Sequence, residues 1–452
     1  NIRSAELCAE AQAAAGTCGA GSRIGTATVT SGSGATPLPL GGQVFLTGAY
    51  KGAPFGLAIV VPAKAGPYDL GLVVVRARVE VDRKTAALSV ASDPMPTILK
   101  GVPLRIRSVD IAVDRPGFML APTSCAPATI AGEVRSAGGA VSPSSTRFAV
   151  GGCSGLDFEP ELGLALGGRG QTTDGKHPAL AARLTIPAQN ANTKRVQVAL
   201  PLSLALDPDN AEALCEPSAA AADRCPAASI VGRASAVSIL HVPLTGPVYF
   251  VRGERRSATG RVIRTLPKLF IPLKGEGVAI DLHASSDVED DQLVTTFEDI
   301  PDAPISRFDL ELEGGKNGIL VVSDADVCAA NQAAGADLVA HSRKIAAGEI
   351  PMATPCPLKV LGSSHTPSRL RVKVGGLGAG RVVVTGPGLT RTSRTLAGST
   401  VATVSVPLSR AVQRRLARGA DVRIAVRTAF TPAGAKKAKA ITRTVTIHGK
   451  ER

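Results

Sequence analysis

Apolar and polar residues alternate singly along much of the chain. VRARVEVD (75–82) and IRSVDIAVD (106–114) put every second side chain on one face, the period of a half-buried strand. QVFLTG (43–48) and AALSVASDP (86–94) are further strand-sized pieces. FGLAIVVPA (55–63) and LGLVVV (70–75) are continuous apolar runs, long enough for a strand and far short of the roughly 18 residues of a membrane helix. Gly, Pro, Asp and Ser separate these pieces about every 8–14 residues, the spacing of an antiparallel sandwich or barrel. Helical signals are few. Ser4 is placed to cap a short helix over Ala5–Ala15 that Gly16 would end. SRAVQRRLARG (409–419) predicts another, with Ser409 as cap, Val412 and Leu416 as the buried i, i+4 pair, and Gly419 as its end.

The cysteines draw a repeat. Cys8 and Cys18 lie 10 apart, and Cys125 and Cys153 lie 28 apart; Cys215 and Cys225 then Cys328 and Cys356 repeat both spacings. SRIGTATV (22–29) matches SIVGRASAV (229–237), PLPLGGQVFLTG (37–48) matches VPLTGPVYF (242–250), and IRSVDIAV (106–113) matches ISRFDLEL (305–312). Of the 105 pairings open to eight cysteines, the repeat selects Cys8–Cys18, Cys125–Cys153, Cys215–Cys225 and Cys328–Cys356. A metal set is disfavoured because the chain has no C-x-x-C and no His pair at ligand spacing. Disulfides place the protein outside the cytoplasm. Each ten-residue clip would pin a helical connector between β-rich blocks, a loop closure contributing about 2–3 kcal/mol.

We expect three segments: a first unit at 1–155, a second at 156–356, and an immunoglobulin-like sandwich at 357–452. The fold class is all-β: tandem disulfide-clipped sandwich or barrel units with short helical connectors, closed by that terminal sandwich. The first unit has no counterpart of residues 156–208. Because the chain also starts at Asn1 rather than Met, we expect a mature form or fragment whose natural protein continues upstream with that block.

Cys-x9-Cys, PLPLGGQVFLTGAYKGAPFGLAIVVPA, DPMPTILKGVPLRIRSVDIAVDRPGF and FEDIPDAPISRFDLEL together resemble long secreted or envelope-associated repeat proteins of soil actinobacteria. The resemblance covers most of 1–356, and the tail resembles the β-sandwiches that close such proteins. It implies a location at the cell surface and assigns no activity, ligand or site.

Charge changes the picture in one place. The net charge is +14, yet residues 357–452 hold 19 Lys and Arg against Asp421 and Glu451. Such a segment can contact phosphate-rich polymers. Arg410, Arg414, Arg415 and Arg418, on the predicted helix, are the candidate contacts. Sequence-specific nucleic-acid reading is not expected, for want of a recognition helix, and stacking on bases would rest on Phe430 alone.

Other chemistry is sparse. Aromatics make up 3% of the chain and Trp is absent, which disfavours carbohydrate stacking. GGCSGL (151–156) only brushes the G-x-S-x-G elbow and spends Cys153 on a disulfide. GGLGAGR (375–381) lacks the P-loop lysine and reads as a turn. Asp287, Glu289, Asp290 and Asp291 are hard oxygen ligands on one loop, a calcium candidate, although their spacing fits no EF-hand and a solvated acidic loop is the plainer reading. His177, His241, His283, His341, His365 and His448 read as surface or satisfied histidines. No cofactor is expected. The expected function is that of a non-enzymatic exported spacer, adhesin or envelope component, its basic end touching an anionic envelope polymer or another surface protein. A ligand- or calcium-binding module is the alternative. A secreted hydrolase ranks lower and would need a convergent polar cluster near 252–264 and 283–302.

Overall fold

The alternating runs are strands. The computed structural model describes residues 5–168, 170–238, 243–257, 259–323, 326–398 and 400–449. In the first copy, β1 (Arg23–Ser31), β2 (Leu38–Thr47), β3 (Phe55–Ala65), β4 (Tyr68–Val81), β5 (Leu88–Ser92) and β6 (Ile106–Ala112) form one antiparallel sheet ordered β5-β4-β3-β2-β1-β6. A separate hairpin follows, β7 (Ala128–Arg135) with β8 (Val141–Phe148).

The second copy closes. It contains β9 (Glu161–Gly167), β10 (Ala179–Thr185), β11 (Thr193–Ala199), β12 (Ile230–Ser238), β13 (Pro243–Val251), β14 (Lys268–Gly275), β15 (Val278–Glu289), β16 (Gln292–Phe297), β17 (Ile305–Leu312), β18 (Ala333–Ala340) and β19 (Ile345–Ala353). These form a barrel ordered β9-β10-β17-β12-β13-β14-β15-β16-β11-β18-β19. A short parallel seam, Leu164 opposite Met352, joins the last strand to the first. Within the barrel, β16-β15-β14-β13-β12-β17 repeats the order of the first sheet, and β18–β19 repeats its hairpin. The three strands from 156–208 supply the rest of the wall.

Both copies carry the same irregularities. The register of β1 slips between Arg23 and Gly25 against β2, and that of β12 slips between Ile230 and Gly232 against β13. A Cβ at Gly25 would sit 2.1 Å from the Ala112 carbonyl oxygen, and one at Gly232 2.2 Å from that of Glu311. Only glycine admits so close a neighbouring strand, which is why G recurs in RIGTATV and IVGRASAV.

The four disulfides are Cys8–Cys18, Cys125–Cys153, Cys215–Cys225 and Cys328–Cys356. Their presence places the protein in an oxidising, non-cytoplasmic compartment. The first clip holds α1, which spans Glu10–Ala15 and not Ala5–Ala15; the expected cap Ser4 lies outside the described residues. Cys8 causes the late start. Its N–H donates to the Leu46 carbonyl (2.9 Å) and it bridges Thr47 in parallel, so the chain is still extended at Ala9. Gly16 ends α1 at φ 69°. α2 (Pro217–Ala221) repeats the device, with Cys215 donating to Phe250.

α2 links the strands of 156–208 to β12, as a helical connector should, and both helices lie on the outer wall. Ala13 and Cys8 pack on Phe45, Ala58 and Val60, while Val44, Leu46, Ile59 and Val61 face the inner side. Ala220 and Cys215 cover Phe270 in the same way, and Leu269, Ile271 and Leu273 point into the barrel. Central strands buried on both faces need apolar residues throughout, which explains FGLAIVV and LFIPL.

The barrel is apolar inside. Outside it carries ion pairs such as Arg183–Asp309, Arg195–Asp337 and Arg233–Glu311. That is the reverse of a lipid-embedded barrel. Among the described residues no helix is long and apolar enough to cross a membrane. Asp309 takes both Arg183 of β10 (2.5 Å) and Arg307 (2.8 Å).

The tail is a two-sheet sandwich. One sheet orders β20 (Lys359–His365), β21 (Arg369–Gly375) and β24 (Val401–Pro407) with β21 central. The other orders β23 (Thr392–Leu396), β22 (Gly380–Thr385), β25 (Val422–Pro432) and β26 (Lys439–Ile447). Valines at alternate positions fill its interior, including Val372, Val374, Val382, Val384, Val404 and Val406. α3 (Arg410–Ala417) joins β24 to β25; the Ser409 hydroxyl accepts from the Val412 N–H, and Val412 and Leu416 are buried.

Candidate functional site: a basic sandwich surface

Alternation turns the sandwich's cations outward. On β21, Leu370, Val372 and Val374 are fully buried, which leaves Arg369, Arg371 and Lys373 exposed in a row. Residues two apart on a strand repeat every ~6.6 Å, so these are closely spaced like charges. Their cross-strand neighbours are short: Ser405 and Ser364 flank Arg371, and Thr403 stands opposite Lys373. The second sheet carries its outward cations more widely spaced, with Ala425 between Arg423 and Arg427. Arg423 and Arg427 of β25 stand outward opposite Thr446 and Thr442, and Arg381 of β22 lies opposite Thr395 and Thr431. Hydroxyls beside cations supply hydrogen bonds that an anionic oxygen can share.

Little neutralises this surface. Lys359 pairs with Asp326 of the second copy at 2.6 Å. Asp421 is already engaged: the Gly449 N–H and the His448 ring bond it, and they hold its carboxyl below the usual range, the backbone N–H contributing most. Arg410, Arg414, Arg415 and Arg418 are all exposed on or beside α3, and none forms an ion pair among the described residues. The strand rows add exposed cations on the outward face of each sheet. Sequence reasoning named only the helix, although R-L-R-V-K-V and V-R-I-A-V-R carried the strand signal.

The other candidates separate. Asp290 and Asp291 are the two central residues of the β15–β16 hairpin, at φ 49° and 62°. Two left-handed residues make the tight turn that twisted hairpins favour, and Asp tolerates them. Asp287 and Glu289 lie exposed on β15 ahead of it, and the Asp287 carboxylate accepts the Val288 N–H. Among the described residues no three His, Cys, Asp or Glu converge as a metal site.

The hydrophilic run 252–264 folds as a small hairpin, Glu254–Arg256 with Val262–Arg264. It borders a cleft of about 470 Å³ shared with Lys84, Lys268, Asp281 and His283. His283 stacks on Phe270 (5.1 Å between ring centres), and burial pushes its pKa below the ordinary value. Asp281 is held by Arg83 at 2.7 Å. The described lining has no Ser, Thr or Cys, so His283 faces no hydroxyl or thiol to activate. His177 bonds Asp207 (2.8 Å) and His341 bonds the Ile300 carbonyl (2.8 Å); His241 lies outside the described residues. GGLGAGR is the turn from β21 to β22.

In comparisons with known proteins, no family model matches the chain and no curated protein matches it. The fold itself defines a class, a disulfide-clipped all-β repeat protein with a basic terminal sandwich.

Proposed function

We propose that this is a non-enzymatic, exported repeat protein of the cell surface or envelope, whose terminal sandwich holds an anionic polymer, in keeping with the actinobacterial repeat proteins it resembles. The observation that carries the reading is the pair of outward cation rows, Arg369–Arg371–Lys373 and Arg423–Arg427, set beside hydroxyls and forming no ion pair among the described residues. A strand row presents charges at a regular spacing, which suits a polymer with charge at every repeat better than a single small anion. The clipped copies act as spacer. What they share is Cys, Gly, Pro and apolar positions and the acid at Asp110 and Asp309, with no common reactive cluster among the described residues, and this favours a scaffold over a catalyst.

The test is binding of the purified chain to isolated cell envelopes and to polyphosphate across a salt series. The triple variant R369E/R371E/K373E serves as control. Affinity is expected to fall about tenfold or more between 50 and 200 mM salt, and the variant should lose most of it. Binding that survives both salt and charge reversal would overturn the proposal.

A further inference from the structure

The barrel interior holds a cavity of about 160 Å³ lined almost wholly by Leu, Ile, Val and Phe side chains. Among the described residues, the polar ones that reach it are Thr193, Ser286 and Thr295. Ser286 and Thr295, on adjacent strands, bond each other at 3.4 Å. Thr193 is different. It is 5% exposed, and its hydroxyl oxygen is buried without a hydrogen-bond partner among the described residues.

Its direction has a local cause. Val196 and Val198 of β11 face the cavity, so simple alternation would turn residue 193 outward. The register of β11 against β18 slips between Thr193 and Arg195, and this bulge turns Thr193 inward with the valines. Bulges commonly re-aim a side chain in this way. A buried hydroxyl with nothing to bond is costly, so this bulge leaves a donor and an acceptor at the cavity wall that a ligand can use. The wall beside it is the 300–303 segment, where Ile300 donates to the Lys194 carbonyl. Asp302 fastens that segment by accepting from the Thr123 N–H and hydroxyl, the Ser124 N–H and the Asn192 amide.

We propose that the barrel binds a small apolar molecule, one ring or a short chain, with a single hydroxyl or carbonyl group that bonds Thr193. The volume sets the size: a dry apolar cavity of about 150 Å³ accepts benzene. The composition sets the chemistry, since a charged ligand would have no counter-charge here. This proposal stands apart from the sandwich's polymer contact and does not depend on it.

The experiment titrates the full chain with phenol and with toluene, probes of one size of which only phenol carries a hydroxyl. Both should bind the unaltered protein. Thr193→Val keeps the shape and removes the hydroxyl; it should weaken phenol about tenfold and leave toluene unchanged or tighter. Ala236→Phe, which fills the cavity, should abolish both. The proposal is overturned if neither probe binds, if T193V binds phenol as the unaltered protein does, or if a folded A236F variant still binds. Should A236F not fold, the isosteric T193V comparison still decides.

Discussion

Phe308, Leu310 and Leu312 of β17 face the barrel interior, and Val109, Ile111 and Val113 hold the same positions in copy one. The first three are half-buried or buried; the second three are 38–47% exposed. Leu293 of β16 is 4% exposed and its counterpart Leu88 of β5 is 71% exposed. The strands are alike in sequence pattern, order and bulges. They differ in their neighbours. In copy two, β10 pairs with β17 and β11 pairs with β16. Among the described residues, copy one has nothing on those edges. Burial here is a property of the closed wall and cannot be assigned strand by strand.

Side-chain pairing follows the same rule. Asp309 receives Arg183 from β10, whereas Asp110, its counterpart, is bonded by Ser108. Hairpin β18–β19 is flanked by strands on both sides, while hairpin β7–β8 is exposed along nearly its whole length.

The largest effect should separate the two leucines. Leu293→Ala should cost about 2–5 kcal/mol by chemical denaturation, and Leu88→Ala should stay within about 0.5 kcal/mol. Equal costs would mean that the first sheet buries its inner face after all. A second contrast lies in the 28-residue disulfides. Removing Cys328–Cys356 lifts a restraint worth about 3–4 kcal/mol from strands that the barrel still holds. Removing Cys125–Cys153 frees a two-stranded hairpin, which is marginal alone. Limited proteolysis should then cut within 128–148 in the C125S/C153S variant and spare 333–353 in the C328S/C356S variant.

The smallest effect concerns pH. Arg76 lies under the first clip, bonded to Glu10 (2.9 Å at both oxygens) and 4.2 Å from the Tyr50 ring; its counterpart under the second clip is His283. Arg76, chiefly by its hydrogen bonds, holds the Glu10 carboxyl below its usual value. Burial lowers the pKa of His283, so the unfolded chain takes up that proton first. The stability His283 contributes is therefore present above about pH 6.5 and is lost as pH falls from there toward its lowered folded value. Melting of the second copy should shift downward on acidification through that window, and His283→Phe should flatten the shift. An unchanged slope would remove His283 from the account.

Much of this was legible in the chain. The 10- and 28-residue spacings select the disulfides, two-residue alternation marks the strands, and the short helix at 410–417 announces its cap and buried face. Other features depend on long-range geometry. Barrel closure needs a parallel seam between strands nearly 190 residues apart, which no local pattern records. The late start of α1 follows from the bridge of Cys8 to Thr47, and the inward turn of Thr193 follows from a slip against β18. The cations on β21 alternate with buried Leu370, Val372 and Val374, a period-two pattern that the sequence R-L-R-V-K-V carries.

The most direct measurement adds a second copy of residues 156–208 ahead of Ala5 and follows amide hydrogen exchange in Leu88–Ser92 and Ile106–Ala112. If the two copies are equivalent, these edge strands should slow to the exchange of Gln292–Phe297 and Ile305–Leu312, and the added strands should be protected with them. Edges that keep exchanging as in the original chain would contradict the equivalence of the two copies.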